Sequence, residues 1–288
     1  MTAQAPAATA GPGKLPLPGF IDVLVENRAL IWQLAQRQLL QKTRGSTLGL
    51  LWWLLSPLLL LGAYTFAFAY VIGVRWKVEA AGGDIAEGGV TLFTLNLFAG
   101  LIIQQFNAEV LTNSPVLITG NEQYVKRIVF PVEVLPGVTL TVATIGWVFS
   151  FVALILMTLI LQGPPAWTVI FAPLIILPAV LTSLGISWAI AAIGVFVRDT
   201  RNIVQVAVLA MLFLSPVFYP IERLESFLPG VQFFHPYATV MEQLRASIFD
   251  PSSLGSTAWF SVLGISLVVA WAGHRVFRTL RPLFADVL

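Results

Sequence analysis

The longest uncharged stretch of the chain covers residues 134–197, 64 positions interrupted only by the corner Gly163-Pro164-Pro165. A bilayer core about 30 Å thick takes roughly 20 apolar residues at about 1.5 Å rise each, so each half is long enough to cross alone. The pattern predicts two helical spans joined by a tight hairpin. Backbone polar groups find no water in hydrocarbon, and Gly-Pro-Pro can break a helix only at a wet surface. Four more uncharged runs reach spanning length: residues 48–74 (27 positions), 90–108 (19), 202–221 (20) and 254–273 (20). The fold class this predicts is an all-α integral membrane protein of six transmembrane helices. Between the last two spans, residues 226–241 are uncharged for 16 positions but carry Pro229, Gly230 and Pro236. That segment is too short and broken to cross, and reads as a re-entrant or interfacial loop.

The remaining segments frame the spans. Residues 1–19, rich in Ala, Pro and Gly, have neither a basic n-region nor an apolar h-region and read as a disordered tail. Residues 20–44 mix Leu24, Ile31, Leu34 and Ala35 with Glu26, Arg28, Arg37, Lys42 and Arg44, as in a helix lying along a membrane surface. Trp32, Leu39 and Leu40 fall off its apolar face. Residues 45–278 form the six-span domain and residues 279–288 a C-terminal tail.

Composition agrees with lipid as the solvent. The chain is 57% hydrophobic and 10% charged, with a mean hydropathy of +0.86, more apolar surface than a soluble core could hide. Charge sets the orientation. With the N-terminus in the cytoplasm, only Arg75, Lys77, Arg223 and Arg245 of the 16 Lys and Arg residues lie outside, leaving 12 inside. The positive-inside rule then places both termini and the 113–131 loop of this multi-pass chain in the cytoplasm. There is no cysteine, hence no disulfide framework and no thiolate ligand.

Enzyme signatures are absent from the sequence. It holds no GxxxxGK[ST] phosphate loop, no HExxH and no carboxylate pair within a span, so no catalytic residue and no metal site is assigned, and the chain is expected not to hydrolyse ATP by itself. His235 and His274 read as interfacial polar residues. Glu109 and Glu133 flank the inner loop, where a carboxylate can reach water or a basic neighbour. On the second span Asn96, Gly100, Gln104, Asn107 and Ser114 share one helical face, a polar and small stripe on an apolar helix. It either packs against other helices or walls a polar conduit. Aromatic pairs Tyr64 with Phe68 and Phe66 with Tyr70, and the set Phe218, Tyr219, Phe227, Phe233, Phe234 and Tyr237, gather near the outer surface. Such rings form interfacial belts or stack on sugar faces.

Four runs resemble a known family. The run 42–58 (KTRGSTLGLLWWLLSPL) is similar to the RYRGSxLGxLWxxxxPL opening of ABC-2 type permeases that export polysaccharides, with Ser56-Pro57 where Asn-Pro is common. Residues 125–136 resemble its xxRKxxFPxExLP inner loop, 196–202 its FxRD turn, and 214–220 its xSPxxYP exit from the fifth span; His235-Pro236 stands where an outer Asn-Pro is frequent. The resemblance implies a homodimeric permease driven by a separate ATP-binding cassette subunit that carries the ATP and Mg. Its implied cargo is a lipid-linked polysaccharide, O-antigen first, with teichoic-acid and capsule permeases sharing the motifs. It further implies a channel at the dimer centre, drawn here along Tyr64, Phe68, Asn96, Gly100, Asn107 and Tyr219. Motor coupling falls to Glu122, Lys126 and Arg127 on a short helix opened by Ser114-Pro115, and the gate helix and cytoplasmic mouth to Arg37, Lys42 and Arg44. Membrane lipids are partners and nucleic acid is not. Two other classes stay open on the residues alone: a membrane-embedded glycan-modifying enzyme, for which only Glu222, Glu225 and Glu242 offer acids outside, and an ion-coupled transporter, which would need charges at mid-depth.

Overall fold

The computed structural model describes residues 19–43, 49–71, 73, 89–125 and 130–287, and every regular element among them is helical. The chain opens with α1 (Gly19–Glu26) and α2 (Arg28–Thr43), which meet at Asn27. The Asn27 amide donates to the Val23 carbonyl at 2.8 Å, so the side chain competes with the helix ladder at the junction. Ile31 and Ala35 bury against Val134, Val138 and Val142, while Trp32 and Leu40 stay exposed. Next come α3 (Trp52–Thr65), continued by a wide turn over Phe66–Val71, then α4 (Gly89–Asn113) and the short α5 (Glu122–Val125). The hairpin is α6 (Leu135–Leu161) followed by α7 (Ala172–Ile175) and α8 (Leu177–Phe196). Gly163, at φ +99°, makes its corner in a region that side-chain-bearing residues avoid.

Among the described residues five helices are long and apolar enough to cross a membrane: Trp52–Val71, Gly89–Val116, Val132–Leu161, Trp167–Phe196 and Ser256–Leu283. The expected fifth crossing at 202–221 is shorter than its uncharged run. Its helix, α9 (Thr200–Leu214), has 15 residues, about 22 Å at 1.5 Å rise and short of the roughly 30 Å hydrocarbon core. It stops because Pro216 lacks an N–H and forces Ser215 into extended backbone (φ −95°, ψ 152°). Counting uncharged residues does not see a proline.

The chain then folds back through α10 (Ile221–Glu225), α11 (Val231–Phe234) and α12 (Pro236–Phe249). Pro236 takes the first turn of α12, and the His235 ring accepts from the Ala238 N–H at 3.1 Å as its cap. Most of α12 is buried between α4, α8 and α13 (Ser256–Leu280). Its last turn reaches the hairpin corner, where Ala166 N–H donates to the Ile248 carbonyl at 3.1 Å and Thr168 to that of Ser247 at 2.7 Å. The chain ends in α14 (Phe284–Val287), with Phe284 buried against Phe196 and Phe277.

The tightest seam joins α8 and α13. A Cβ on Gly273 would lie 1.8 Å from the Gly185 carbonyl oxygen, and one on Gly185 would lie 2.4 Å from that of Val269. Thr182 donates across the seam to Ser266 at 2.9 Å. Small residues that bring backbones together, with hydroxyls bonded between them, are how helices associate where lipid is as apolar as leucine.

Candidate functional site: the polar stripe and the α2 end of the bundle

The stripe on α4 faces the interior of the bundle. Gln104 donates to the Val208 carbonyl at 3.1 Å, Ser183 donates to Asn107 at 3.4 Å, and Ser114 and Ser187 share a hydrogen bond at 2.7 Å. Asn107 and Ser114 are fully buried and Asn96 nearly so. Gly100 is where a guanidinium crosses: a Cβ there would meet Arg245 Nη2 at 2.7 Å and the Val217 Cα at 3.2 Å. Of the two readings open from sequence, these contacts are those of helix packing, and among the described residues Asn96, Gly100 and Asn107 do not face an open conduit. The physical reason is α12, whose Arg245 lies against the face the conduit would use.

Arg245 counted only as an outer-loop charge in the sequence, yet it is 3% exposed. Its Nε donates to the Asn96 carbonyl at 3.0 Å and Nη2 to the Val217 carbonyl at 3.1 Å, and Nη1 pairs with Glu242 at 3.3 Å. One side chain thus ties α4, the 215–220 strap and α12 together. Strap and α3 also share a ring cluster: Phe218 stacks on Phe68 at 4.5 Å and meets Tyr64 edge-on at 5.3 Å. Tyr219 donates to the Phe213 carbonyl at 2.7 Å. Tyr64 and Phe68 therefore gather on Phe218, the chain neighbour of Tyr219, whereas Tyr237 leaves the aromatic set and bonds Ser183 at 3.0 Å deep in the bundle.

At the other end of α4, Lys42 of α2 forms an ion pair with Glu109 and sits over the Trp53 ring, 5.3 Å from its centroid. Glu133 bonds Arg281 at 2.8 Å and lies 3.5 Å from His274 Nε2, while the His274 ring meets Trp188 edge-on at 4.9 Å. Both loop carboxylates have basic partners, and His274 gains one that its place in the sequence does not show. Arg37 lies exposed on α2; Arg44, Lys126 and Arg127 fall outside the described residues. Ser114-Pro115 opens a short turn, but not by capping: Ser114 Oγ donates back to the Val110 carbonyl at 2.7 Å, and the residue at the cap is Asn113. Gly194 lets this turn dock, since a Cβ there would lie 2.3 Å from the Pro115 carbonyl oxygen. Glu122 then borders a cavity shared with Arg198, Arg201 and Val287.

The profile of the ABC-2 type transporter family matches residues 29–249. An O-antigen export system permease protein RfbA of Myxococcus xanthus is 24% identical over 269 residues, 93% of this chain and 98% of its own length. A permease of the same description from Klebsiella pneumoniae is 24% identical over 263 residues, 90% of this chain and 95% of its own.

Proposed function

The chain belongs to the ABC-2 type transporter family, and we propose that it is the permease subunit of an ATP-driven exporter moving a lipid-linked polysaccharide, O-antigen first, across the inner membrane. The observation that carries this is the likeness to O-antigen export permeases over nearly the whole length of both chains. The sequence contains no phosphate-binding loop, so a separate ATPase carrying ATP and Mg is part of the reading. It docks on the segment 115–128 through Glu122, Lys126 and Arg127, beside Arg198 and Arg201. A short α9 prolonged by the 215–220 strap makes the fifth of six crossings, and α10 to α12 form a re-entrant unit on the periplasmic side. Both termini are cytoplasmic.

Two copies enclose the channel. In support, α9 exposes Gln205 beside Ile203, Val206 and Leu209, and a polar amide on an exposed membrane helix favours a wet or protein-covered face over lipid. Tyr64, Phe68 and Tyr219 serve as weak, repeated sugar contacts. Helix α2, with Arg37, Lys42 and Arg44, closes the cytoplasmic mouth. Purification of the chain alone and with its co-expressed ATP-binding partner tests the division of labour. ATP hydrolysis should appear only in the co-purified complex, and hydrolysis by the isolated chain would overturn it.

A further inference from the structure

Two cavities meet at the Lys42–Glu109 ion pair, and both residues line each of them. One, of about 500 Å³, lies between α2, the end of α4 and the start of α6 among amides such as Gln38, Gln41 and Asn113. The other, of about 350 Å³, opens between α3, α4 and α6 and is walled by Trp52, Trp53, Trp147, Gln105, Ser56 and Ser150. That volume falls within the roughly 300–1,000 Å³ of sites that hold small ligands. Trp53 is firmly seated: a Cβ on Gly146 would lie 2.8 Å from its ring, so the glycine leaves the notch it occupies. Lys42 is held from two sides, by that ring and by the Glu109 carboxylate.

We propose that this tryptophan cleft binds a sugar residue of a lipid-linked saccharide arriving from the inner leaflet. The proposal rests on the export reading above and adds to it a site apart from Tyr64, Phe68 and Tyr219. The lining has the chemistry of a carbohydrate site. Indole rings offer flat apolar faces to the C–H side of a pyranose, while the Gln105 amide, two serine hydroxyls, the Glu109 carboxylate and the Lys42 ammonium match its hydroxyls. An acyl chain would leave those polar groups without partners, and a bare phosphate would face the Glu109 carboxylate. Trp52 remains 43% exposed, leaving ring surface for a ligand. The second cavity, joined at the ion pair, gives the following sugars a polar route past α2.

The chain has no cysteine and Ser56 is exposed, so Ser56→Cys gives a single reporter thiol. In the complex with its ATPase in nanodiscs, without ATP, maleimide modification is timed with decyl diphosphate N-acetylglucosamine and with decyl diphosphate alone. The sugar-bearing probe at about four times its Kd should slow the reaction about fivefold, because about a fifth of the sites then stay open. The sugarless probe should leave the rate unchanged. Gln105→Leu, and independently Trp53→Leu, should abolish the protection while the complex still assembles. Equal protection by both probes would mean that Lys42 reads the diphosphate, and no protection would mean the cleft is not a saccharide site; either overturns the proposal. Surface glycan produced by the unaltered chain is scored separately, so that failure of the cleft is distinguished from failure of the export reading.

Discussion

Arg245 is the side chain on which the packing of the stripe turns. Removing it leaves two carbonyls, of Asn96 and Val217, without their donor, and a buried polar group so orphaned costs about 1–3 kcal/mol. Arg245→Met should therefore lower the stability of the folded chain by about 3 kcal/mol, read as a lower unfolding temperature in detergent. Glu242→Gln removes a partly exposed carboxylate but keeps a side-chain oxygen that can accept from Arg245, and should cost less than Arg245→Met. Gly100→Leu drives a side chain into the same guanidinium and should reduce the amount of folded protein. The alternative, a conduit along the stripe, gives the opposite pattern: normal protein level with blocked export. Nothing in the sequence marks Arg245 as buried, because the feature that buries it is a helix formed by residues 236–249 beyond two prolines and a glycine. Gly100, by contrast, was legible as part of a small, polar stripe, and only the occupant of its notch was not.

At the scale of elements, the α8–α13 seam makes the sharpest demand. Gly273→Val would place atoms where the Gly185 carbonyl stands, and since both partners are backbone the helices must separate, at the upper end of the about 1–3 kcal/mol usual for overpacking or beyond. Folded yield should fall steeply, whereas Gly264→Val, with nothing within 4 Å of its added carbon, should leave it unchanged. The hairpin helices were legible from 64 uncharged positions and one Gly-Pro-Pro corner, because hydrophobic length is a property of composition. The end of α9 does not show in the pattern, for a different reason. Its run stays uncharged through Pro216 and Pro220, and backbone restrictions imposed by proline are invisible to a charge count. Partners such as Glu133 with His274 and Arg281, separated by well over a hundred positions, follow from tertiary packing alone.

For the whole molecule, orientation is the first thing to establish. Single cysteines at Gly83 and Ser252 should react with an impermeant maleimide on intact spheroplasts, and one at Gln123 should not, as the division of basic residues requires. Reaction at Gln123 would invert the arrangement and move the motor contact to the wrong side. Charge reversal of Lys126 and Arg127 together should then leave the membrane complex assembled while ATP hydrolysis no longer drives export; unchanged export would make that loop a determinant of orientation only.

The central claim is that this chain is the membrane path of an ATP-driven polysaccharide exporter, and the most direct measurement is surface glycan in cells depleted of it. Depletion should abolish surface polysaccharide while the lipid-linked polymer accumulates on the cytoplasmic face. A plasmid copy should restore export with an active ATPase partner and fail with a hydrolysis-defective one. Normal surface polysaccharide after depletion, or restoration that does not depend on the ATPase, would contradict the account.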